Sequence, residues 1–288
     1  MVVASPRPAL AALFLGVAAA CGDGPEESFA LEGLTSALSS PKEVFEAPEW
    51  VRLDVRSEAE FAAAHLPGAR SLPAGRLRAE VNGVSGQVAP RAEVLAALDA
   101  VGIDADTPLV VVGAGQDTAA ARALWTLELY GHRAGVTLLD GGQASWIADD
   151  YPIDTGAPTE FAAVASTREP TLEALRVDLD WVLEHVNDPG VALFDVRSPA
   201  EYGEGHIPGA NNVEWVQNLG DTGRARSPEF IRELHGSPSA STLVVYCRSG
   251  SRAAVSWLLL RYAGYADVRL YDGSWAEWGA RPDTPKAR

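Results

Sequence analysis

At 288 residues the chain has the length of about two ordinary domains, and its 47% apolar and 22% charged content fits a folded protein and excludes the disordered classes. A formal net charge of −16 argues against nucleic acid or an anionic membrane surface as a general partner, so any anionic substrate has to be drawn in by a local cationic site. With Cys21 and Cys247 as its two cysteines, the chain cannot build a disulfide framework, a Cys-x-x-Cys pair or a zinc site.

Residues 1–21 read as a targeting segment. Arg7 precedes an apolar run from Ala9 to Ala20, the length of a signal-peptide core and too short to span a bilayer comfortably. Ala18-Ala19-Ala20-Cys21 resembles a bacterial lipoprotein cleavage site, with Cys21 as the lipidated residue; plain secretion with cleavage near Ala20 is the other reading. The expectation is export, to the periplasm or as a membrane-anchored lipoprotein of a bacterium. Residues 22–45 then form a tether and lead-in segment, opening on a flexible Gly/Asp/Pro/Glu stretch.

The remainder repeats itself. Leu53-Asp54-Val55-Arg56-Ser57 returns as Phe194-Asp195-Val196-Arg197-Ser198. His65-Leu66-Pro67-Gly68-Ala69 returns at the same interval as His206-Ile207-Pro208-Gly209-Ala210, and Leu139-Asp140-Gly141-Gly142 as Tyr271-Asp272-Gly273-Ser274. Landmarks conserved in order within one chain mean a duplicated domain. In the first copy the apolar patterns predict strands at 50–55, 108–113 and 136–139 and helices at 58–64, 91–101 and 118–130. The second copy predicts a lead-in helix over 171–186, strands at 191–196, 242–246 and 268–271, and helices at 199–204, 227–235 and 253–262. Strands alternating with helices imply an α/β fold, two tandem domains each with a mostly parallel sheet flanked by helices. The expected boundaries are 46–150 for the first domain, 151–170 for a linker and 171–288 for the second.

The chemistry concentrates after the strand Leu243-Val244-Val245-Tyr246. Cys247-Arg248-Ser249-Gly250-Ser251-Arg252 follows it and leads into a buried helix. Strand, tight loop and helix aim backbone amides and a helix N-terminus at one point, where a cysteine would react as its thiolate. Ala114 falls opposite Cys247 when Gly131 is aligned with Gly264, so the first copy has no nucleophile.

This loop, with Asp-Val-Arg and His-x-Pro-Gly-Ala in both copies, resembles the rhodanese family of sulfurtransferases, and the tandem arrangement resembles its thiosulfate/3-mercaptopyruvate type. Four residues separate Cys247 from Arg252, one fewer than in the phosphatase relatives of the fold. The resemblance implies a first rhodanese-like domain that is inactive and a second that is catalytic. It implies that sulfane sulfur passes from a donor such as thiosulfate through a Cys247 persulfide to a thiol or cyanide. Arg248, Ser249, Gly250, Ser251 and Arg252 would bind the donor, and Asp195, Arg197, Asp54 and His65 would support the site. In the mercaptopyruvate-using branch an Asp–His–Ser relay crosses the cleft, which maps onto Asp54, His65 and Ser249. That branch also carries a second arginine four residues after the Asp-x-Arg arginine; here the position holds Glu201, which favours thiosulfate over mercaptopyruvate. No metal or organic cofactor is implied. A 3-mercaptopyruvate sulfurtransferase, or a non-catalytic module that binds a persulfide or an anion, is the alternative.

Overall fold

The computed structural model describes residues 38–115, 117–132, 134–165, 170–236 and 240–288. The targeting segment, the greater part of the tether and Cys21 lie outside the described residues. Short β-branched runs form the centre of each half. In the first half they are β1 (Leu38–Ser39), β2 (Val51–Asp54), β3 (Arg70–Ser71), β6 (Leu109–Val112) and β7 (Val136–Leu139), with β4 (Arg78–Val81) and β5 (Val84–Val88) making a separate hairpin. Its helices are α1 (Pro41–Glu46), α2 (Glu58–Ala63), α3 (Arg91–Ala100), α4 (Thr118–Leu129) and α5 (Gly142–Ala148).

In the second half the strands are β8 (Arg176–Val177), β9 (Val191–Asp195), β10 (Asn211–Asn212), β11 (Thr242–Tyr246) and β12 (Val268–Tyr271). Its helices are α6 (Leu179–His185), α7 (Pro199–Glu204), α8 (Pro228–His235), α9 (Ser251–Tyr262) and α10 (Ser274–Trp278). The two five-stranded sheets run β1-β7-β6-β2-β3 and β8-β12-β11-β9-β10, with every pairing parallel. Strand for strand the orders correspond, so the sequence repeat is also a repeat of topology.

Local sequence accounts for the corresponding ends. Ser57 and Ser198 each close a capping box with a glutamate three residues on, Glu60 and Glu201, satisfying two amide donors at the helix start. Asp54 grips Arg56 through its backbone amide (3.0 Å) and guanidinium (2.5 Å), and Asp195 grips Arg197 in the same way (3.0 and 2.6 Å). Each arginine also donates to a carbonyl, of Ala64 or Gly205, at 2.7 Å. The grip ties the strand end to the helix that follows in both halves.

One expectation fails, and one element has no counterpart among the expected ones. The lead-in helix over 171–186 is broken into a 3-10 turn (Glu173–Leu175), β8 and α6. Asp178 caps the amide of Trp181 at 2.9 Å, so the helix starts only at Leu179. Arg176 and Val177 are instead recruited alongside Leu270 and Tyr271 of β12. The apolar spacing still buries Leu175, Leu179 and Val182, but in three short pieces. The β4–β5 hairpin was not anticipated. It turns on Asn82-Gly83, both at positive φ (53° and 78°), a two-residue turn that such a dipeptide favours.

The halves share one apolar core. It runs from Leu53, Val111 and Trp125 through to Val245, Cys247 and Trp257, with α4 packed along α9. α4 is buried nearly all round and carries two charges into that contact. Arg122 pairs with Asp272 and Glu128 with Arg261 (2.5 Å), both across the halves. Burial raises the Glu128 pKa against the pull of Arg261. Such pairs add little net stability, but breaking one strands a buried charge, so they fix how the halves sit.

Candidate active site

β11 delivers Cys247 to the junction with α9, 1% exposed and unpaired. The loop after it is held from the next element. Ser274 Oγ accepts the amides of Cys247 and Gly250, each at 3.2 Å, and donates to the Tyr271 carbonyl at 2.8 Å. The amides of Trp275 and Ala276 donate to the Cys247 and Arg248 carbonyls at 3.0 and 2.9 Å. Ser274 is held in the left-handed region (φ 53°), where a side chain costs about 1–2 kcal/mol. Its hydroxyl bonds offset that cost.

The loop ends in an open helix terminus. Gly250 stands at the N-cap of α9 with no side chain to cap it. Ala254 makes the first helical bond, to the Gly250 carbonyl at 3.0 Å, which leaves the amides of Ser251, Arg252 and Ala253 without an intrahelical acceptor. Gly250 is itself obligatory. Its φ is +80°, and a Cβ there would lie 2.6 Å from Arg122 Nη1 and 2.9 Å from Asp272 Oδ1.

The residues predicted for the donor divide. The Arg248 side chain is exposed and forms no ion pair among the described residues. Ser249 packs under the β4–β5 hairpin, its Cβ 3.3 Å from where a Cβ on Gly86 would stand. Gly250 does not offer its amide to a substrate, because Ser274 has taken it. Arg252 is not a free cation: its two terminal nitrogens bind Glu201 at 2.6 and 2.8 Å. The Glu201 hydrogen bonds hold the Arg252 guanidinium above its ordinary pKa, against burial. Arg252 in turn lowers Glu201 to about 2. Glu201 therefore does not simply face the cleft as a bare carboxylate; it neutralises the loop arginine. Asp195 and Arg197 brace β9 beside β11, with Asp195 in register with Tyr246 and the Arg197 guanidinium 4.6 Å from the Trp275 ring centroid.

The Asp54–His65–Ser249 relay is not assembled. Asp54 is occupied by Arg56. His65 stacks on Phe61 (centroids 3.9 Å apart), and its Nδ1 pairs with the Phe61 carbonyl at 2.8 Å. Among the described residues no hydrogen bond joins any two of the three. His206 repeats the arrangement on Tyr202 (3.7 and 3.0 Å), so this histidine belongs to the fold in both halves.

The sequence profile of the rhodanese-like domain matches residues 40–149 and again 178–281. The chain belongs to the rhodanese family. The Sulfur carrier protein TtuD of Thermus thermophilus is 32% identical over 92% of this chain and 97% of its own length. The Thiosulfate sulfurtransferase of Azotobacter vinelandii is 31% identical over 83% of this chain and 91% of its own length. Among solved structures, SseA from Escherichia coli, a 3-mercaptopyruvate sulfotransferase by its title, superposes with a TM-score of 0.74 at 25% identity, covering 84% of this chain and 99% of that one.

Within this rhodanese the first half closes its own counterpart of the site. The residue opposite Cys247 is Gly113 rather than Ala114, because Val112 and Tyr246 hold the same register against Asp54 and Asp195 and the first loop is one residue longer. Asp117 occupies the N-cap that Gly250 leaves bare, accepting the amides of Ala119 (2.6 Å) and Ala114 (3.1 Å). Gly142 (φ 58°) stands where Ser274 does. A carboxylate of the chain itself thus fills the anion position that the second half leaves open. The sequence repeat gives Ser274 no role by itself; its one signal there is a serine where the other copy has Gly142.

Proposed function

We propose that Cys247 takes sulfane sulfur from a small anionic donor, with thiosulfate preferred over 3-mercaptopyruvate, and passes it to a thiol or to cyanide. The Cys247 thiolate attacks the outer sulfur of thiosulfate. A Cys–S bond forms, the donor's S–S bond breaks, and its electron pair leaves with sulfite. An acceptor thiolate or cyanide then attacks the outer persulfide sulfur, and the electron pair returns to Cys247 as thiolate. Two half-reactions sharing one covalent carrier give ping-pong kinetics.

The observation that carries this reading is the buried, unpaired cysteine at an uncapped helix terminus, with the counterpart terminus blocked by Asp117. The open amides of Ser251, Arg252 and Ala253 are donors for the developing anion and the persulfide. Arg248 adds a cation at the mouth. The names borne by relatives, thiosulfate sulfurtransferase among them, support the same reaction class. The donor preference rests on Glu201. A donor carboxylate would have to compete with it for Arg252, whereas a compact dianion can use the helix terminus. A donor screen on residues 22–288 tests this, following sulfite and pyruvate release; pyruvate outpacing sulfite at equal low donor concentrations contradicts it.

The proposal extends to location. Cys21 carries lipid after export and tethers the folded halves to a membrane, because stable anchoring needs more than one acyl chain and lipoprotein processing supplies more than one. Fractionation of a Cys21→Ser variant tests it: release of the variant from a membrane-bound wild type supports the anchor, and a soluble wild type lacking Cys21 overturns it.

A further inference from the structure

The half without a nucleophile sends a hairpin across to the catalytic loop. The Val88 amide donates to Asp272 Oδ2 at 3.0 Å, and Gly86 lies against Ser249. Arg78 is the residue opposite Val88 in that hairpin. Its Nε is buried with no hydrogen-bond partner, and its side chain forms no ion pair among the described residues. The ionisable groups that act on it are Arg122, Asp117, Cys247 and Asp272. Asp117 is already committed to two amides, and Asp272 to the Val88 amide and to Arg122. Arg122, 1% exposed, keeps Nε and Nη1 buried without partners. Burial first, then Arg122, draw the Arg78 pKa down, the response of a cation kept from its counter-ion.

The duplication supplies an internal control. The interval that pairs Asp54 with Asp195 pairs Arg78 with Leu219, and the interval that pairs the N-caps Asp117 and Gly250 pairs Arg122 with Val255. The reciprocal contact exists. Leu219 bridges Ala225, and the Ala225 amide donates to Asp140 Oδ1 at 2.9 Å, as Val88 does to Asp272. Facing the blocked loop, Leu219 and Val255 line a cavity of about 30 Å³ with Asp117 and Asp140. The fold therefore makes this contact with two aliphatic residues. Where cysteine stands opposite, it uses two arginines with buried, unpaired donors.

We propose that Arg78, backed by Arg122, is the donor-binding cation of the Cys247 cleft, so that the cysteine-free half supplies part of the substrate site. The ligand class is a small sulfur-donor dianion whose oxygens take the unpaired guanidinium donors while its outer sulfur meets Cys247. This rests on the sulfur-transfer reading above.

The test uses the full chain with thiosulfate. Arg78→Met keeps the stem and removes the charge; it should raise KM by ~10- to 100-fold while kcat changes by less than ~3-fold, as loss of ground-state anion binding does. Arg78→Lys should restore most of the affinity, and the salt dependence of kcat/KM should flatten in the Met variant. The Met variant should unfold at the same or higher temperature, because a repulsion with Arg122 is removed; a residue holding the fold would lower it. Saturating thiosulfate should still load one sulfur per chain in both variants. Loading in wild type with an unchanged KM in Arg78→Met overturns the role of Arg78 alone. No loading in wild type overturns the reaction on which it rests.

Discussion

The two halves carry the same helix terminus in two states. In the first, Asp117 caps α4 and the loop at Ala114 holds no nucleophile. In the second, Gly250 leaves α9 open and Cys247 sits beside it. The sheet order, the Asp–Arg grip, the stacked histidine and the amides donated to the loop are common to both. What they share is the scaffold. The halves differ at the loop and around it: Gly113 against Cys247, Asp117 against Gly250, Gly142 against Ser274, Leu219 against Arg78.

Transplanting the cap should have the largest effect. Gly250→Asp puts the carboxylate of the closed half into the open cradle, and the added side chain meets Arg122 and Asp272. Persulfide formation should drop by ~1000-fold or more, since the anion position is taken and its donors are lost. Asp117→Gly, the reverse exchange, should leave turnover within about threefold. Stopped-flow sulfite release reads both, and an active Gly250→Asp variant would show that the open terminus is not the anion site.

Exchange at the pin should cost less. Ser274→Gly adopts the residue of the first half; turnover should drop ~10- to 100-fold as the loop amides lose their anchor. Its unfolding free energy should change by less than about 2 kcal/mol, because relief of left-handed strain offsets lost hydrogen bonds of about 1 kcal/mol each. Gly142→Ala should do the opposite. A Cβ there would stand 2.7 Å from the Gly113 carbonyl and Gly115 amide, so the urea midpoint should fall while turnover holds.

Glu201 differs from its counterpart Glu60 in having an arginine to neutralise; Ala119 stands where Arg252 does. Glu201→Gln should free Arg252 and raise the use of 3-mercaptopyruvate relative to thiosulfate by ~5- to 30-fold, the worth of a partly screened pair of 1–2 kcal/mol. An unchanged donor ratio in paired rate measurements would remove Glu201 from specificity.

A further difference concerns acid stability. Where the first half buries Leu77, the second buries Asn218, which pairs with His235 Nε2 at 2.9 Å. Burial lowers His235 from 6.5 to about 4. The folded state thus holds the neutral ring, and the unfolded chain takes up the proton first, so this stability is present above about pH 6.5 and is lost as pH falls toward 4. Hydrogen exchange should show the second half loosening before the first over that window; equal loosening would contradict the assignment.

Much of this was legible in the sequence, and the gaps have physical causes. The β-branched runs and their constant intervals gave the two parallel sheets, because central strands are buried on both faces and their composition is dictated by that burial. The segment 171–186 misled because its apolar spacing suits one helix or three short pieces equally. The hairpin's one sequence signal is Asn82-Gly83, an exposed dipeptide with no apolar alternation strong enough around it to mark two strands. The relay of Asp54 and His65 comes from the family resemblance alone, whereas the repeats of these residues, Asp195 and His206, take the same positions in the fold. Arg78, Arg122 and the partner of Glu201 were invisible for a different reason. Their contacts lie between segments far apart in the chain, and no local periodicity encodes them.

Intact mass and peptide mapping after exposure to excess thiosulfate show whether one half alone carries sulfur. One added sulfur per chain is expected, on the peptide holding Cys247, and none in Cys247→Ser. A full adduct retained by that variant, or a second sulfur elsewhere in the folded halves, would contradict it.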